Sequence, residues 1–155
     1  MYSLFPLATV VTPNIPEALA ILKFVPGYEN STEPVINTVE DMENVAKALH
    51  TLGPAYVLVK GGHLALHPEA HSTTDASPSK ELVDVLYDGQ RFEYIRGPLI
   101  KSNNVHGTGC TLSSAIASEL AKGVPVVQVR IMLFILHIMP YFLCSASLDT
   151  FYQPQ

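Results

Sequence analysis

The sequence is short of cysteine and short of charge. Its two cysteines, Cys110 and Cys144, stand far apart, which excludes a disulfide framework and fits a reducing, cytoplasmic setting. Only 15% of its 155 residues are charged, and the net charge is −5. It has no basic patch, so nucleic acid is not an expected partner. Met1 to Thr12 lacks the basic region that opens a signal peptide, and its short apolar run leads directly into Pro13. No internal repeat is visible, and the Gly-x-x-x-x-Gly-Lys-Ser/Thr phosphate loop is absent. The almost continuously apolar run from Ile131 to Cys144 contains Pro140 and is shorter than the ~20 residues that a spanning helix needs. A buried helix is therefore expected there in preference to membrane contact.

What is present suits one domain with a core, since 48% of the residues are hydrophobic. Leu7 to Val11 reads as a buried strand. Asn14, with Glu17 three residues later, has the spacing of a capping box and predicts a helix through Ile21 and Leu22 that stops before Pro26-Gly27. Thr38 and Asp41 repeat that spacing ahead of a second helix, whose apolar residues Val39, Met42, Val45, Ala46, Leu49 and Leu52 share one face. Gly53-Pro54 closes it. Ala55 to Val59 is continuously apolar, as in a strand covered on both faces. His67 to Lys80 reads as a mobile loop. Leu82 to Tyr87 and Phe92 to Ile95 flank Asp88-Gly89 as a hairpin. A last helix opens after His106-Gly107-Thr108-Gly109-Cys110, with Leu112, Ala115, Ile116 and Leu120 on one face and Gly123 as its stop. This order predicts α/β layering.

Three residue sets could carry chemistry. Gly107-Thr108-Gly109-Cys110 opens a helix, where unpaired N–H groups and a partial positive charge can hold a phosphoryl group; the same residues also suit a tight turn. Asn14 and Glu17, one helical turn apart, could hold Mg²⁺ through water, although a capped helix needs the same pair. Lys60-Gly61-Gly62 leaves the carboxyl end of a strand. Ligands of open α/β sheets gather at such ends, and Lys60 could meet a phosphate as a point charge, or simply be a solvated lysine in a turn. His63, His67 and His71 lack a supporting zinc framework. His106 and Cys110, separated by a glycine turn, need not align as a nucleophile and its base.

Taken together, Leu7-Ala8-Thr9-Val10-Val11-Thr12-Pro13-Asn14-Ile15-Pro16-Glu17, Leu58-Val59-Lys60-Gly61-Gly62-His63, Asp84-Val85-Leu86-Tyr87-Asp88-Gly89 and His106-Gly107-Thr108-Gly109-Cys110-Thr111-Leu112-Ser113 resemble hydroxymethylpyrimidine/phosphomethylpyrimidine kinases of the ribokinase-like superfamily, in order as well as in content. The resemblance runs from about Leu4 to Val129. It implies an incomplete ribokinase-like fold with a mainly parallel sheet, lacking the amino-terminal half that carries most pyrimidine contacts. Residues 1–129 would be the carboxyl-terminal part of the kinase domain, and 130–155 a divergent apolar tail that could promote self-association.

The resemblance also implies an activity: phosphorylation of hydroxymethylpyrimidine and then of its monophosphate by ATP with Mg²⁺, which feeds thiamine synthesis. Under it, Gly107, Thr108 and Gly109 form the anion hole, and Cys110 acts at the nucleophilic hydroxyl. Asn14 and Glu17 place the metal, and Lys60 and Gly62 lie on the nucleotide side. Val105 departs from the threonine usual before the histidine, and the chain leaves the family pattern near Arg130. A pyridoxal-type kinase and a non-catalytic nucleotide-binding or dimerising fragment are the alternative readings.

Overall fold

The computed structural model describes residues 4–28, 35–61, 81–98, 108–126 and 128. The expectations for Gly62, Gly107, the loop from His67 to Lys80 and the tail 130–155 lie outside the described residues. The chain divides into two units, Met1–Ile100 and Lys101–Gln155.

In the first unit, strands β1 (Val10–Val11), β2 (Tyr56–Val59), β3 (Glu81–Tyr87) and β4 (Phe92–Pro98) form one sheet in the order β1-β2-β3-β4. Helices α1 (Ile15–Leu22) and α2 (Val39–His50) connect β1 to β2, the crossover that a parallel pair requires. β1 and β2 are parallel, with Val10 opposite Tyr56 and Val11 opposite Val57. β2 with β3 and β3 with β4 are antiparallel. The α/β layering stands, but the described sheet is mixed rather than mainly parallel. The short Asp88–Gly89 turn returns β4 directly alongside β3, and a tight turn can join only antiparallel neighbours.

Both predicted capping boxes form. Asn14 Oδ1 accepts the Glu17 N–H at 2.8 Å, and Glu17 Oε2 accepts the Asn14 N–H at 2.8 Å. Thr38 Oγ1 accepts the Asp41 N–H at 3.1 Å, and Asp41 Oδ2 accepts the Thr38 and Asn37 N–H groups, each at 2.9 Å. The first strand is shorter than expected. Pro6 stands in the opening turn of a 3-10 helix, Phe5–Leu7, and Leu7 is 79% exposed. Proline fixes φ and lacks the N–H that a ladder would use, so regular pairing starts only at Val10.

Alternation along the strands divides the core. Val57, Val59, Val83 and Val85 pack with Ala18, Leu22, Met42, Val45 and Leu49 of the two helices. Leu58 and its partner Leu86 point to the opposite face and are buried as well, as a strand covered on both faces requires. At the hairpin, Gly89 has φ +91°, Asp88 Oδ1 accepts the Gln90 and Arg91 N–H groups, and Tyr87 stacks on Phe92 with ring centroids 4.5 Å apart. These local contacts hold the β3–β4 register.

The second unit contains α3, Thr108–Ala121. Leu112 and Ile116 are buried, as their one-turn spacing predicts. Gly123, at φ +84°, follows the helix in the left-handed conformation that suits a glycine stop.

Candidate functional site at the strand ends

The carboxyl ends of β1 and β2 lie side by side. Beyond Val11, Thr12 and Pro13 lead into Asn14, which pairs with Lys60 as an isolated parallel bridge. The Lys60 N–H donates to the Pro13 carbonyl at 2.9 Å. Three of the expected residues are thus brought to one edge: Asn14, Glu17 one turn into α1, and Lys60. The amino terminus of α1 opens at the same point and brings the positive end of the helix dipole, with the Asn14 and Glu17 N–H groups already engaged by the capping box.

Gly61 is bound closely to β3. Its N–H donates to Asp84 Oδ1 at 2.8 Å in a buried hydrogen bond. A Cβ built on Gly61 would stand 2.0 Å from the Val83 carbonyl oxygen. Here the missing side chain is needed for the approach of another strand. Asp84, 4% exposed, is the residue to which sequence reasoning assigned no role. The available signal was a lone carboxylate inside the apolar run Leu82 to Leu86, because such a charge is rarely buried without partners.

The capping box limits what Asn14 and Glu17 can offer a cation. Asn14 Oδ1 and Glu17 Oε2 are engaged with backbone N–H groups, so Glu17 Oε1 is the atom suited to a hydrated ion. Among the described residues, no group of three or more His, Cys, Asp or Glu side chains gathers as a metal site. This donor set would suit a hydrated cation such as Mg²⁺, which needs few protein ligands; it does not fit a tightly caged metal.

Thr108, Gly109 and Cys110 form the first turn of α3 in the second unit. Cys110 is a free, exposed cysteine. Ser113 Oγ donates to the Gly109 carbonyl at 3.0 Å, which ties the glycine into the helix one turn on.

The family model for phosphomethylpyrimidine kinase matches residues 1–129. The chain belongs to the phosphomethylpyrimidine kinase family. A putative hydroxymethylpyrimidine/phosphomethylpyrimidine kinase from Schizosaccharomyces pombe is 48% identical over 118 residues, covering 76% of this chain and 20% of that protein. Among solved structures, pyridoxal kinase from Bacillus subtilis in its ADP complex matches with TM-score 0.64 and 37% identity, over 84% of this chain and 42% of that one. Phosphomethylpyrimidine kinase from Clostridium difficile matches with TM-score 0.56 and 36% identity, over 90% of this chain and 45% of that one. The chain therefore spans from a fifth to less than half of these family members and neighbours.

Among the described residues no helix is long and apolar enough to cross a membrane.

Proposed function

We propose that the chain carries the nucleotide-phosphate side of a kinase that phosphorylates hydroxymethylpyrimidine and its monophosphate from ATP. The observation that carries this reading is the Asn14–Lys60 bridge, which sets an amide, a carboxylate and an ammonium at adjacent strand ends beside a helix amino terminus. Phosphoryl transfer depends mostly on positioning and charge stabilisation, and those groups supply both.

Lys60 meets the nucleotide phosphates as a point charge, and Gly62 is assigned to the nucleotide with it. Glu17, with Asn14 beside it, would hold a hydrated Mg²⁺. That ion, when bound, offsets phosphate charge. Gly107, Thr108 and Gly109 donate N–H groups to the transferring phosphoryl group. Cys110 receives the proton of the acceptor hydroxyl. As the hydroxyl oxygen bonds to the γ-phosphorus, the bond from that phosphorus to the bridging oxygen breaks, and ADP leaves with the electron pair. Residues 1–129 act as this part of the kinase domain, with 130–155 as a separate tail. A cytoplasmic setting suits the two cysteines.

Pyridoxal as acceptor is the second reading, favoured by the likeness to a pyridoxal kinase. The test is calorimetric titration of the full chain with ADP, followed by turnover with Mg-ATP and either acceptor. ADP binding is expected. Turnover is expected far below that of a full-length relative, because the chain spans less than half of the solved kinases it matches. Failure to bind ADP sinks the nucleotide reading, and a residual preference for pyridoxal decides for the second acceptor.

A further inference from the structure

Asp84 is the buried charged residue of the described sheet, and its place in the hydrogen-bond pattern is specific. Tyr56 and Lys60 donate their N–H groups to Thr9 and Pro13, on the β1 side of β2. Intervening residues of a strand face the other neighbour, so Gly61 is the next whose N–H points to β3. The pairing of Val59 with Val85, continued one and two residues, sets Lys60 opposite Asp84 and Gly61 opposite Val83. The Gly61 N–H does not continue that ladder. A side-chain carboxylate oxygen, Asp84 Oδ1, receives it at 2.8 Å. Lys60 is thus clamped at its own N–H by β1 and at the next residue by Asp84.

We propose that Asp84 is a positioning residue for the nucleotide site: it fixes the Gly61 backbone and through it the direction in which Lys60 leaves β2. The proposal rests on the role assigned to Lys60 above. A hydrogen bond to an ionised acceptor is shorter and stronger than one between neutral groups. A carboxylate therefore holds the strand exit more firmly than a backbone carbonyl would. Gly61 has no Cβ to keep it off β3, so the acceptor and the glycine act as one device.

The test uses the full chain with Asp84→Leu, which removes the acceptor at similar size, and Asp84→Asn, which keeps a neutral acceptor. Amide hydrogen exchange followed by NMR reads the hold on Gly61. ADP titration reads the consequence, in the Lys60 chain and again with Lys60→Met. Asp84→Leu should speed Gly61 exchange about tenfold or more, with Asp84→Asn intermediate, while the β3–β4 amides keep their rates. ADP affinity should fall about tenfold in Asp84→Leu when Lys60 is present, with no further loss when Lys60 is already methionine.

An unchanged Gly61 rate overturns the proposal. So does an equal loss of ADP affinity in both backgrounds, because a merely structural role predicts that result. If Asp84→Leu does not fold, Asp84→Asn decides by the same two readouts. If the unaltered chain binds no ADP, the nucleotide reading fails separately, and the Gly61 rate decides whether Asp84 holds the strand exit.

Discussion

Asn14 and Lys60 are bridge partners at the ends of two parallel strands, joined through the Lys60 N–H and the Pro13 carbonyl at 2.9 Å. One caps a helix and the other follows a strand, so a helix terminus and a lysine stand at the same ends of two neighbouring strands. The arrangement separates two kinds of role: Lys60 is free to act through its side chain, while Asn14 acts first on its own helix.

Lys60→Met should therefore weaken ADP binding about tenfold or more, the usual loss for a hydrogen bond to a charged group, with little change in melting temperature. Calorimetric titration and a thermal melt of the same samples check both halves. An unchanged ADP affinity would remove Lys60 from the site.

The two capping boxes offer an internal control. Asn14→Ala and Thr38→Ala should each cost about 1 kcal/mol of stability, the typical loss for an N-cap, because each side chain satisfies a helix N–H. Only Asn14→Ala should also alter the Mg²⁺ dependence of nucleotide binding. Denaturant unfolding with and without Mg-ADP distinguishes them. Equal metal dependence in the two variants would confine Asn14 to its cap.

Gly61→Ala should be severely destabilising, at about 3 kcal/mol, the upper end of the overpacking range. Its new Cβ would stand 2.0 Å from a backbone oxygen of β3, whereas a Cβ on Gly97 meets nothing within 4 Å. Gly97→Ala in the same sheet should be close to neutral. Unfolding curves that rank the two variants equally would contradict the close approach.

Acid sensitivity should trace partly to the helix cap at Asp41. Its pKa is lowered, first by the backbone hydrogen bond from Asn37 and then by the Thr38 side chain. Asp88 in the hairpin is likewise lowered by the Arg91 and Gln90 N–H groups. A carboxylate with a depressed folded pKa contributes stability that is complete above its unfolded value and is lost as pH falls through its folded value. The loss should begin below about pH 4, the ordinary aspartate range. Asp41→Asn should lower the melting temperature at neutral pH and flatten its fall in acid. Parallel acid limbs for the variant and the unaltered chain would exclude Asp41 as a contributor.

Local chemistry was legible in the sequence. Asn14 with Glu17, and Thr38 with Asp41, determine their capping boxes within four residues of chain. The apolar spacing of Val39 to Leu49 determines which face of α2 is buried, and Asp88-Gly89 determines a hairpin. Each of these depends on contacts that a short segment makes with itself. That Asn14 and Lys60 each follow a parallel strand was legible too, and the bridge between them agrees; only the tertiary structure decided that β1 is shortened by the turn at Pro6, and that Gly61 is a glycine because β3 passes against it. Asp84 belongs to the same class: 23 positions separate it from Gly61, and no periodicity announces the bond. Such pairings depend on which strands become neighbours and in what register. That choice comes from burying Val57, Val59, Val83 and Val85 together beneath the two helices. The hydrophobic driving force is non-directional, so no one segment carries the pairing; it emerges when the whole core closes.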